Sequence, residues 1–168
     1  MDQIINRVAS SQIITFDLEQ LYPVGDRVLI DIKDILFQGL ILKEKDFRNY
    51  VKNHNWSQYA NRYVAVSCSA DAIIPTWAYM LISVFLQPFA RAVVFGDLIA
   101  LETQLFKQAL DQVNWEQYRD AKVVVKGCSK VEVPVSAYVE VSNRLRPLAQ
   151  SIMFGEACST VPLFKRKE

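Results

Sequence analysis

Short valine-rich runs alternate along the chain with longer stretches in which apolar residues recur every three or four positions, the pattern of strands and amphipathic helices taking turns. Residues 27–32 read as a leading strand, and apolar chain continues through Leu42. Phe47, Tyr50 and Val51 mark a helix over 43–52, and Leu101, Leu105, Phe106, Ala109 and Leu110 mark another over 101–113. Each is closed by Asn-Trp-x-Gln-Tyr. The runs 63–68 and 122–127 are short and rich in valine, as the buried strands of a parallel sheet tend to be. Pro75 and Pro134 suit the first turn of a following helix, where a missing N–H costs nothing. Those helices stop near Pro88 and Pro147, and strands over 92–96 and 152–155 follow. The sum is about five strands and four helices in alternation.

The order repeats itself. Asn55, Trp56, Gln58, Tyr59, Val64 and Val66 fall on Asn114, Trp115, Gln117, Tyr118, Val123 and Val125 at a constant offset of 59 residues. The same offset carries Pro75, Ala78, Tyr79, Leu86, Pro88, Ala90, Phe95 and Gly96 onto Pro134, Ala137, Tyr138, Leu145, Pro147, Ala149, Phe154 and Gly155. Cys68-Ser69 meets Cys128-Ser129 after a one-residue gap, which places the length change in a loop, where insertions cost least. The fold class expected is therefore α/β, a layered sandwich with a mostly parallel sheet built from an internal duplication. One domain is expected over 1–168, with repeats at about 41–97 and 100–156 and an N-terminal extension over 1–40.

Composition narrows the function classes. A chain of 168 residues, 51% hydrophobic and 22% charged, has enough apolar material for a substantial core. A formal net charge of +1 leaves no basic face for phosphates, so no nucleic-acid partner is expected. The first eleven residues carry Asp2 and Arg7 among apolar positions and do not form a signal peptide, so the expected location is cytoplasmic. Residues 72–90 hold no charged side chain, but Pro75, Pro88, Ser83 and Gln87 interrupt them and no membrane span is expected. The duplicate of this helix carries Glu140, Arg144 and Arg146. One copy thus meets water while residues 76–89 are apolar all round, which predicts a homodimer interface on that helix; the competing expectation is a helix central to a monomer.

The candidate chemistry lies at strand ends. Cys68-Ser69, Cys128-Ser129 and Cys158-Ser159 each follow a strand and precede a proline, at Pro75, Pro134 and Pro162. Ligands gather at the carboxyl ends of parallel strands, so the three thiols are candidate ligands of zinc, iron or an iron–sulfur cluster, with Asp71, Glu156 or His54 as a further ligand. Cysteines packed as small hydrophobes are the bland alternative, and a redox pair with one low-pKa thiol is a third. Asp97 and Glu156 both follow Phe-Gly and could divide acid and base roles, against the plainer expectation that Asp97 caps a helix. His54, the only histidine, is expected on a loop surface, since the second copy has Val113 there. Neither familiar phosphate loop nor a Gly-x-Ser-x-Gly elbow is present.

The stretch from Ser67-Cys68-Ser69-Ala70-Asp71 through Pro75-Thr76-Trp77-Ala78-Tyr79, with Ser151-Ile152-Met153-Phe154-Gly155-Glu156 and Cys158-Ser159-Thr160-Val161-Pro162-Leu163, resembles an uncharacterised family of small bacterial cytosolic proteins, the domain of unknown function numbered 2480. The resemblance covers nearly the whole chain. It implies a neighbourhood of iron–sulfur assembly proteins as partners and a link to sulfur or iron handling, and it supplies no catalytic residue. Two expectations follow: a metal or iron–sulfur protein working through Cys68, Cys128 and Cys158, or a noncatalytic dimeric interaction module whose cysteines pack. Whether the chain is an enzyme stays open at this point.

Overall fold

The computed structural model describes residues 13–126, 130–156 and 159–167. The described chain is α/β and divides into two compact units, residues 24–104 and residues 13–23 with 105–126, 130–156 and 159–167. The central unit holds β2 (Arg27–Asp31), β3 (Tyr63–Ser67) and β4 (Ala92–Phe95), with α1 (Glu44–Asn53) and α2 (Thr76–Leu86). Its strands run parallel in the order β2-β3-β4. The other unit holds β1 (Ile13–Asp17), β5 (Lys122–Lys126), β6 (Ser151–Glu156) and β7 (Ser159–Lys165), with α4 (Val135–Leu145). There β1, β5 and β6 are parallel, and β7 returns antiparallel beside β6. The division between units falls inside α3 (Leu98–Asp111).

Each unit buries one face of its sheet under two helical segments. In the central unit Phe47 and Val51 from α1 and Ala78, Ile82 and Leu86 from α2 close over Ile30, Val64 and Val66. In the other, Phe106 and Leu110 with Ala137, Val141 and Leu145 close over Phe16, Val123, Val125 and Ile152. The buried side chains are almost all apolar, so burial area rather than polar pairing sets these cores.

The Asn-Trp-x-Gln-Tyr motif has a physical role in both units. It forms a short 3-10 turn, Trp56–Tyr59 or Trp115–Tyr118. The indole of Trp56 donates to the Val51 carbonyl at 2.7 Å, and that of Trp115 to the Leu110 carbonyl at 3.0 Å, answering carbonyls that a helix end leaves open. Asn61 and Asp120 then take left-handed φ values of 60° and 56°, which asparagine and aspartate tolerate best after glycine.

Two strands lie outside the sequence expectation. The first is β1, which completes the sheet of β5 and β6, as β2 completes that of β3 and β4. Each ends in an aspartate whose carboxylate accepts from the amide two residues on, Glu19 at 3.0 Å and Lys33 at 3.1 Å, and so opens a 3-10 turn. The second is β7, which makes that sheet mixed rather than wholly parallel.

Candidate functional site

Because β2, β3 and β4 are parallel, their carboxyl ends share one edge, where Asp31, Cys68-Ser69 and Gly96-Asp97 follow in turn. Asp31 binds the loop after β3: the Ser69 hydroxyl donates to it at 2.6 Å and the Ser69 amide at 3.0 Å, alongside the Lys33 amide. Burial alone would raise this carboxyl, but the bonds from Ser69 and Lys33 outweigh it and hold its pKa at about 2. A carboxylate so committed is a latch rather than a proton acceptor near neutral pH. Cys68 lies half-buried beside the latch, packed against the core, with its sulfur 3.8 Å from the Ala70 carbonyl. The Tyr79 phenol faces the same edge, and burial, then the nearness of Cys68 and Asp31, push its pKa up.

Cys128 and Cys158 lie outside the described residues. Asp71 is exposed on the loop that follows Cys68, and Glu156 ends β6 opposite Ser159. Among the described residues no three His, Cys, Asp or Glu side chains group as a metal site. Asp97 accepts from the Ala100 amide at 2.9 Å and caps α3, the plainer of its two expected roles.

His54 departs from the expected surface position. It is half-buried at the end of α1, with ring centroids of Tyr50, Trp56 and Tyr59 at 4.9, 4.6 and 5.7 Å. Its Nε2 lies 3.0 Å from the Tyr59 hydroxyl and 3.1 Å from the Gln58 amide nitrogen. Burial lowers its pKa, so the imidazole is neutral at physiological pH.

Beside the strand-end edge runs an apolar groove of about 400 Å³ between α2 and β4. Tyr79, Met80, Val84, Val93, Val94 and Phe95 line it. The Tyr79 and Phe95 rings of this lining meet edge to face at 5.0 Å. While Ala78, Ile82 and Leu86 point into the core, Met80, Val84 and Phe95 are 63%, 66% and 70% exposed. This α2 is uncharged along its length, with one face packed on the core of its own unit and the other exposed. In α4 the same turns carry Glu140 and Arg144, which pair with each other at 2.8 Å and, through Arg144, with Asp111. Sequence reading found the uncharged helix, but the groove needs β4 placed beside it, and only pairing of β4 with β3 supplies that.

The fold and site together define an α/β protein with two sheet units and an apolar helix–strand groove on one of them. The chain belongs to the family described as Protein of unknown function (DUF2480), whose model matches residues 2–166. No curated protein and no solved structure matches it. Among the described residues no helix is long and apolar enough to cross a membrane.

Proposed function

We propose that the protein is a noncatalytic interaction module that works in the cytoplasm as a homodimer, joined through the α2 face and the groove beside it. The observation that carries this reading is the exposure of Met80, Val84 and Phe95 around an uncharged helix. Contiguous apolar surface of this kind marks an interaction site, and an uncharged face suits an uncharged partner. A second copy offers the same uncharged face, and a two-fold axis sets the two patches against each other. On this reading the cysteines pack as small hydrophobes, and the two units descend from one duplicated ancestor.

Sedimentation of the purified protein tests the proposal. A dimer that Val84→Asp converts to a folded monomer supports it, since Val84 lies outside the core and the charge burdens only the interface. A wild-type protein that sediments as a monomer at micromolar concentration overturns it.

A further inference from the structure

The α2 face supplies only about half of a standard interface. Covering the exposed parts of Met80, Val84, Phe89 and Phe95 removes on the order of 400 Å² per protomer, taking roughly 150–250 Å² for a whole aromatic side chain. A standard interface takes about 800 Å² from each partner. The edge of β4 lies next to this face and offers the remainder.

That edge is unpaired among the described residues, because β4 has β3 as its only strand neighbour. The Gly96 amide donates to the Val66 carbonyl at 3.0 Å, and Val66 sits opposite Phe95. In a parallel ladder this parity turns the main-chain groups of Ala92, Val94 and Gly96 toward β3 and those of Val93 and Phe95 outward. The corresponding strand of the other unit, β6, is closed by the chain itself: Ile152 and Phe154 oppose Phe164 and Val161 of the antiparallel β7. β7, in turn, carries Pro162 and Lys165 and meets an irregular register at Ile152/Met153, all features that discourage further pairing. Ala92-Val93-Val94-Phe95 has no such defence.

Resting on the dimer proposed above, we infer that the second copy closes this edge by antiparallel pairing of β4 with β4 of its mate. The two-fold axis passes at Val94, and Val93 faces Phe95 of the mate, so each pair exchanges both main-chain bonds. Two three-stranded sheets become one continuous sheet. An axis normal to the sheet keeps both α2 helices on the same face, where Met80 and Val84 meet their mates over the junction. Each Val93 also gains an aromatic neighbour across the strands, a favoured pairing of β-branched and aromatic side chains.

Amide hydrogen exchange by NMR on wild type and on Val84→Asp, with sedimentation of the same samples, tests the inference. The expected result is a wild-type dimer in which the Val93 and Phe95 amides exchange on the order of 100-fold more slowly than in the Val84→Asp monomer. The Val94 amide, already bonded to β3, changes least. A dimer whose Val93 and Phe95 amides exchange as freely as in the monomer overturns edge pairing and leaves the helix-face dimer standing. A monomeric wild type overturns both.

Discussion

Replacing Asp31 by Asn keeps the shape of the side chain at the latch between β2 and the Cys68 loop but removes its charge. A carboxyl whose pKa falls from an ordinary 3.8 to about 2 owes that fall to charge-dependent bonds, worth about 2.5 kcal/mol if fully transmitted. Water at the rim screens part of this, which brings the expected loss to about 1–2 kcal/mol. The three bonds, from Ser69 twice and Lys33 once, give the same range if each loses about 0.5 kcal/mol on becoming neutral. Because the folded pKa is depressed, the contribution is complete above about pH 4 and fades as pH falls toward about 2. Urea unfolding at pH 7 and at about pH 2.5, inside the window of that fade, measures it. The expected outcome is a stability gap between wild type and Asp31→Asn at pH 7 that shrinks by more than half in acid. Equal stability at pH 7, or a gap that survives acid unchanged, refutes the latch. A looser loop also exposes the thiol, so peptide mapping after alkylation should find Cys68 modified faster in Asp31→Asn than in wild type.

His54, whose pKa burial lowers, contributes stability that is present above about pH 6.5 and is lost as pH falls below it. His54→Val should cost about 1 kcal/mol at pH 7 through lost ring contacts and flatten the unfolding profile between pH 5 and 7 (roughly the range in which an ordinary histidine titrates); a profile as steep as wild type counts against the caged imidazole. Cys68→Ala should keep fold and dimer at a cost of about 1 kcal/mol by thermal unfolding. Iron, zinc and acid-labile sulfide measured on anaerobically purified protein should stay well below one equivalent per chain; near one equivalent that vanishes in Cys128→Ser would replace packed cysteines by a thiolate site on Cys68, Cys128 and Cys158.

The central strands and all four helices were legible because their signals are local. Period, proline and the Asn-Trp-x-Gln-Tyr closure say where a helix starts and stops without reference to anything distant. The strands β1 and β7 were not. Ile13-Ile14-Thr15-Phe16-Asp17 is a strand only through its pairing with β5, more than a hundred residues on. Its signal lay in Asp17-Leu18 repeating as Asp31-Ile32, two short strands each ending in an aspartate-opened turn. Ser159 to Lys165 contains Pro162, which argues against a central strand, and it is an edge strand, where proline is tolerated. The strand-end position of Cys68 was readable from valine run and following serine, but its latch was not, since Asp31 and Ser69 lie 38 residues apart. The uncharged helix over 76–89 declared an unusual environment, and which of its faces is open depended on where β4 lies. His54 was misplaced because its surroundings are three rings from a helix and a turn, and a lone histidine in sequence carries no record of them.

Sedimentation equilibrium of wild type and Val84→Asp at matched micromolar concentrations bears most directly on the interaction surface. The account expects a wild-type mass of twice the chain's 19.2 kDa and a Val84→Asp mass equal to it, with both proteins showing the same far-ultraviolet spectrum. A wild-type protein at the mass of one chain, or a Val84→Asp protein that stays dimeric, would contradict it.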